Sequence, residues 1–333
     1  MPYPPLAYAP DGRLLATAEG SLLLVYDGDS EEPLFTSELD GHIVSIAIDA
    51  GHLFALSSRG LLRELDARGA RVNEWSTNAG RGVVAAGGRV CVYGPKATLF
   101  HGGERRDLDV ERVSAAALSA DGRKLLVCTE LGTAQIFDTP TGALAGASKA
   151  SGPFAGAAWS ASGHFIATVQ ARAGGIDKVD PTNAALSPFI GTGAHRLDSV
   201  SASEDGCFVA ARVEDGRILM FDAAGTREVG NLVYGEPETP GVVAFGPSTW
   251  LAVAIGHGDA NKIDLSTRAV HRTDPHEGRP RHSWTLRAKV DVDRVAAVLD
   301  GGDPSGSSNK RKLGLFIALV VVVAGALISL LGR

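Results

Sequence analysis

Apolar residues along most of this chain fall into short runs separated by polar turns, and the runs recur in one phrase. An apolar strand leads into a turn carrying Asp or Gly, a second apolar strand follows, and a third strand ends in a bulky residue and Asp. The clearest copies are YAPDGRLLATAEGSLLLVYD (8–27), LSADGRKLLVCTELGTAQIFD (118–138) and ASEDGCFVAARVEDGRILMFD (202–222). Weaker copies occupy 47–66, 159–180 and 245–264, and a divergent one, whose third strand ends without Asp, occupies 82–103. The terminal Asp falls at Asp27, Asp66, Asp138, Asp180, Asp222 and Asp264, with gaps of 39, 72, 42, 42 and 42 residues. The gap of 72 holds the divergent copy, so seven units are visible. A period near 42 with four strands per unit predicts propeller blades. A small twisted sheet cannot cover its own two faces, and stacking such sheets around an axis does so while leaving only short edges.

The expected fold is therefore all-β: a seven-bladed propeller of four-stranded antiparallel blades, with eight blades as the alternative. That alternative comes from 282–303, which reads as two further strands around a turn near Asp291 to Asp293. They would form either a partial eighth blade or a hairpin completing the ring beside the N-terminal strand. Asp-Gly pairs at Asp11-Gly12, Asp121-Gly122 and Asp205-Gly206 read as turns, because Gly accepts positive φ and Asp bonds nearby backbone.

A different pattern closes the chain. Leu313 to Leu331 reads LGLFIALVVVVAGALISLL, uncharged and with Ser329 as its only polar side chain. As a helix this run would be about 28 Å long, close to the hydrocarbon thickness of a bilayer. The apolar character goes all the way round, as a membrane span requires and a surface helix does not. Lys310, Arg311 and Lys312 stand immediately before the run and keep the preceding chain on the cytoplasmic side. The expected organisation is a propeller over 1–300, a Gly/Ser/basic linker over 301–312 and a transmembrane helix over 313–332. The whole would be a single-pass, tail-anchored membrane protein. Gly325 and Ser329, four apart, form the small-residue face through which two such helices could pair weakly.

Composition changes this picture little. Apolar residues make up 44% of the chain and charged residues 21%, and the 41 glycines suit many turns. A net charge of −6, with no basic stripe, argues against nucleic acid as a partner. Cys91, Cys128 and Cys207 are far apart and each reads as a small buried strand residue. The N-terminus MPYPPLAYAPDG lacks the pattern of a secretory signal.

The repeats resemble the WD-repeat family, in which the third strand ends in Trp-Asp and a Gly-His pair precedes the first strand. Tyr26, Phe137 and Phe221 hold the Trp position in the good copies, Leu65, Val179 and Ile263 hold it in the others, and the Gly-His pair occurs at Gly41-His42. The resemblance covers residues 4 to 300 and implies a rigid, non-catalytic platform for other proteins.

Candidate chemistry is sparse. No nucleophile elbow, phosphate loop, zinc-protease helix or Cys-x-x-Cys motif is present, and no catalytic residue, cofactor or metal site is expected. HRTDPHEGRPRH (271–282) gathers His271, His276, His282 and Arg279, but its spacing suits a solvated loop better than a metal site. His257 and Asp259 share a turn. HGGERRDLDVER (101–112) is dense in both charge signs. Arg105, Arg106, His271, His276 and Arg279 are the candidate partner-docking residues. The leading expectation is a membrane-tethered scaffold that engages a cytoplasmic protein or peptide. Architecture alone suggests, as an alternative, a nucleotide-exchange factor for a membrane-associated small GTPase. A lactonase or quinoprotein type of propeller enzyme would need carboxylates, His or Asn converging on the axis, where the inner strands here carry mainly Ala, Val, Ile and Leu.

Overall fold

The computed structural model describes residues 5–9, 11–27, 30, 32–78, 80–169, 175–191, 196–203, 205–213, 217–224, 227–233, 241–246, 250–255, 259–266, 270–272 and 287–299. Within them the chain forms a seven-bladed β-propeller of four-stranded antiparallel blades. The blades span 6–38, 43–76, 82–111, 113–149, 154–191, 197–233 and 241–272, and each is a meander of four consecutive strands running from the axis to the rim. The inner strands neighbour one another in chain order, and Gly241–Phe245 of blade 7 lies beside Leu6–Tyr8 of blade 1 to close the ring.

Strand alternation explains why these sequences stack. On the second strand of blade 4, Leu125 and Val127 pack with Cys91 and Leu99 of blade 3, while Leu126 and Cys128 pack with Phe165 and Ala167 of blade 5. One continuous apolar run thus serves two interfaces, the expected signature of a strand covered on both faces. The bulky residue ending the third strand faces the preceding blade in the clearest repeats: Tyr26 packs with Ala252 of blade 7, Phe137 with Leu99 of blade 3, and Phe221 with Ile166 of blade 5. Outer strands touch solvent instead. The outer strand of blade 3, Glu104–Glu111, buries only Leu108 and Val110.

The inner strands are also stitched by serine hydroxyls that accept backbone N–H groups of the next blade. The Ser45 hydroxyl of blade 2 accepts the Val83 N–H of blade 3 at 3.1 Å, and the Ser201 hydroxyl of blade 6 accepts the Phe245 N–H of blade 7 at 3.1 Å. Closure uses no shared strand among the described residues. Leu6–Tyr8 pairs within its own blade, so the seam between blades 7 and 1 is held by packing of Leu6, Tyr8, Leu15, Leu24 and Tyr26 around Ala252.

Three expectations need correction. The described part of 282–303, residues 287–299, forms neither a two-stranded partial blade nor a closing hairpin. Arg287–Val290 adds a fifth, antiparallel strand to the outer edge of blade 6, against Glu228–Val233. The residues after it, Val292–Leu299, form a helix rather than a strand. Val292, Val295, Ala296 and Leu299 carry the helical spacing, and Asp291 caps it, its Oδ1 accepting the Arg294 N–H at 3.1 Å. Cys91 and Cys128 are buried in strands, and burial pushes the Cys91 thiol up to about 12. Cys207 is the exception, half-buried at the turn that precedes Phe208–Val213, where its N–H bonds Asp205 Oδ1 at 2.9 Å.

The compact propeller unit ends at Val290. Among the described residues no helix is long and apolar enough to cross a membrane. The linker 301–312, the basic triplet Lys310, Arg311 and Lys312, the apolar run 313–331 and its Gly325 and Ser329 all lie outside the described residues.

Candidate functional site

Where inner strands turn into second strands, local sequence sets the geometry. In blade 4 the Ser119 hydroxyl donates to Asp121 Oδ1 at 2.6 Å, the same oxygen accepts the Arg123 N–H at 3.0 Å, and Gly122 adopts φ +68°. Blade 6 repeats this with Ser203, Asp205, the Cys207 N–H and Gly206 at φ +70°. Blade 1 has Asp11 accepting the Arg13 N–H at 3.0 Å, with Gly12 at φ +75°. The carboxylate fixes the turn and glycine supplies the left-handed residue. Blades 2 and 3 use tighter two-residue turns, Ala50-Gly51 and Gly87-Gly88, with positive φ at all four positions. Ala50, at φ 48°, is a non-glycine held in that region.

These turns and the strand ends before them surround an axial pocket of about 480 Å³ to which every blade contributes, through Asp11, Asp49, Ala86, Leu118, Trp159, Ser203 and Phe245 in chain order. Its wall is mostly small and apolar. Trp159 is half-buried there, supported edge-on by Phe165 with ring centroids 4.7 Å apart. The acidic groups are tied to the turns: Asp49 Oδ2 accepts the Gly88 N–H at 2.8 Å, linking blade 2 to blade 3. Such a pocket can receive an apolar side chain and orient it against fixed carboxylates at the mouth.

The repeat-ending residues lie elsewhere. Asp66 Oδ1 accepts the N–H groups of Arg68 and Ala70, both at 2.8 Å. Asp138 Oδ1 accepts the hydroxyl of Thr141 at 2.8 Å, Asp180 takes the N–H of Thr182 at 2.7 Å, and Asp264 that of Ser266 at 2.9 Å. Each closes the turn between third and outer strands. Asp222 is buried and Asp27 is exposed. Gly41 takes φ +92°, and His42 is exposed at the start of the blade 2 inner strand. In the divergent blade 3, Phe100 and His101 occupy the place of Phe137 and Asp138: His101 stands opposite Arg89 as Asp138 stands opposite Lys124. That substitution is what makes 82–103 the divergent copy, whose third strand ends without Asp.

These caps carry a pH dependence. Hydrogen bonds hold three carboxyls below the ordinary 3.8, from the Ala70 N–H at Asp66, the Thr141 hydroxyl at Asp138 and the Thr182 hydroxyl at Asp180. A carboxyl depressed by folding stabilises the native state above its unfolded value, and the contribution is lost as pH falls through the folded one. The melting temperature should therefore drop as pH is taken below 3.8, and the drop should be smaller in Asp138→Asn, as thermal melts at stepped pH would show.

Of the candidate docking residues, Arg105 and Arg106 point to opposite faces of blade 3. Arg105 Nη1 reaches Ser76 O of blade 2 at 3.4 Å and Arg106 Nη1 reaches Pro140 O of blade 4 at 3.1 Å. Both guanidinium groups strap neighbouring blades together. His271 sits in the outer strand of blade 7 opposite Lys262. His276 and Arg279 lie outside the described residues. Neither Arg105 nor Arg106 lines the axial pocket. Its own residues could have been sought in the sequence as the strand ends just before each turn.

No protein-family model matches the chain, and no curated protein matches it. Its fold does have solved counterparts. The β-propeller domain of Cps50 (Swd1) from Myceliophteria thermophila superposes with a TM-score of 0.67 at 18% identity, covering 78% of this chain and 96% of that one. A chain of a mitotic checkpoint complex superposes with a TM-score of 0.65 at 13% identity, covering 78% and 88%. At these identities the likeness is one of fold.

Proposed function

We propose that this chain is a membrane-tethered, non-catalytic propeller scaffold of the WD-repeat kind, which presents its axial face to a protein or peptide at the cytoplasmic surface of a membrane. The observation that carries the reading is the axial pocket, apolar-walled, built by all seven blades and backed by the rigid Trp159–Phe165 pair. The neighbour from a mitotic checkpoint complex supports it, since that propeller fold occurs within a multiprotein assembly. The tether rests on the uncharged run 313–331 and the basic residues before it. Confinement by such a tether raises the effective concentration of a partner at the bilayer without adding any contact.

A photo-crosslinking amino acid placed at Trp159 in the full chain, expressed in membranes, tests both halves. The expected result is a discrete protein adduct, lost in Phe245→Asp, on a chain that stays in the membrane pellet after alkaline carbonate. Release by carbonate would overturn the tether. A chain that forms no adduct from this position would overturn the axial face as the docking surface.

A further inference from the structure

We propose that the cleft between blades 2 and 3 binds a side-chain-sized organic cation: the ammonium or guanidinium of a lysine or arginine residue, or a free amine of the same chemistry. The cleft has a volume of about 330 Å³ and is separate from the axial pocket, sharing no lining residue with it. It therefore stands whether or not the axial face docks a partner.

The site is built by cross-strand register. Glu64, on the third strand of blade 2, lies opposite Phe54 on the second strand and Asn73 on the outer strand. Alternation puts Phe54, Glu64, Asn73 and Trp75 on the face toward blade 3. Deeper in, that interface is closed by apolar packing of Phe54, Leu56 and Leu62 against Val83, Val90 and Phe100. Toward the turns it opens, because blade 3 supplies Gly88, Gly102 and Gly103 there. A Cβ on any of the three would meet nothing within 4 Å. On the blade 3 side the gap is thus bounded by the backbone of these glycines together with Val90, Phe100 and His101.

What the gap exposes is a negative charge among aromatic rings. The Glu64 residue is only 9% exposed. Its Oε1 lies 2.7 Å from His52 Nδ1 and its Oε2 accepts Asn73 Nδ2 at 2.6 Å. A carboxylate offers about four acceptor positions, so these two contacts leave room for another donor. Arg63 projects from the opposite face and is spent on Glu74 Oε2 at 2.8 Å and Glu38 O at 2.6 Å, while Arg105, opposite Phe100 on the cleft's own face, is spent on Asp107 Oδ1 at 3.3 Å and Ser76 O at 3.4 Å. None of the cleft-lining residues is a lysine or an arginine. Trp75 and Phe100, with centroids 5.4 Å apart and planes 42° apart, supply the ring faces to which a cation with an apolar stem is drawn. The volume is at the small end of ligand clefts, about 300–1,000 Å³, which suits one long side chain.

Titration of the full chain with Nα-acetyl-lysine methylamide, Nα-acetyl-arginine methylamide and n-butylamine, followed by calorimetry and tryptophan fluorescence, tests the assignment. Saturable millimolar binding of the lysine derivative is expected, with its Nε-acetylated, neutral analogue at least about tenfold weaker. Glu64→Gln should weaken binding by at least about tenfold, and Trp75→Leu should weaken it as well. Butylamine binding as well as the lysine derivative would identify a free amine as sufficient, and binding of the lysine or arginine derivative alone would identify a residue within a peptide. Because Glu64→Gln could disturb blade 2, Trp75→Leu, at a half-buried wall position, carries the test independently, with melting curves for both variants. Equal binding of the neutral analogue, no saturation with any cation, or unaltered binding in both folded variants would overturn the site.

Discussion

Phe165→Ala is expected to lower the unfolding free energy of the propeller by about 3–5 kcal/mol, the cost of removing a large aromatic side chain from a packed interior. Phe165 is fully buried between blades 4 and 5, within a cluster that includes Leu126, Cys128, Ile136, Phe154 and Val179. Cluster members come from strands fixed by their own ladders, so the interface can collapse only partly into the cavity. The same ring supports Trp159 edge-on, and its loss should also loosen the wall of the axial pocket. Guanidinium unfolding of the variant against the parent chain measures the first effect, and the crosslinking yield from position 159 measures the second. A loss below about 1 kcal/mol would mean that the blade interface is far less tightly packed than the burial of Phe165 implies.

Gly122→Ala should cost about 3 kcal/mol, from a left-handed backbone that L-residues resist and from overpacking. Gly122 adopts φ +68°, and a Cβ there would stand 2.4 Å from the carbonyl oxygen of Ala86 in the neighbouring blade. Gly87 reciprocates, since its Cβ would stand 2.4 Å from Asp121 O. The turns of blades 3 and 4 interlock through bare backbone at the mouth of the pocket, with no flexible side chain to give way. Gly51 provides the control: it has φ +81° but open space around it, so Gly51→Ala should show the conformational cost alone, about 1 kcal/mol. Equal losses in the two variants, read from denaturant midpoints, would show that the close approach contributes nothing.

How much of the molecule the sequence discloses depends on the range of the interaction. Asp121-Gly122 and Asp205-Gly206 are readable because each turn is bonded within a few residues of itself. The blade period is readable because the third strand of the clearest repeats carries a bulky residue for the preceding blade, as Tyr26, Phe137 and Phe221 show. Blade 3 reads only as a divergent copy because its short Gly87-Gly88 turn changes the spacing and His101 stands where other blades have Asp. Val292–Leu299 misleads because a short apolar run fits either period, and the cap at Asp291 tips it to helix.

The amino-acid order by itself determined seven sheets of alternating strands and the turns that reverse them, since hydrophobic alternation and local hydrogen bonds act between residues close in the chain. Only the tertiary structure decided which surfaces are left open. The axial pocket requires all seven strand ends to meet, the Glu64 cleft requires three glycines of blade 3 to face blade 2, and the edge of blade 6 is covered by a strand more than fifty residues further along. Each of these arises where segments distant in sequence approach or fail to fill the space between them, a property of packing that no local pattern encodes.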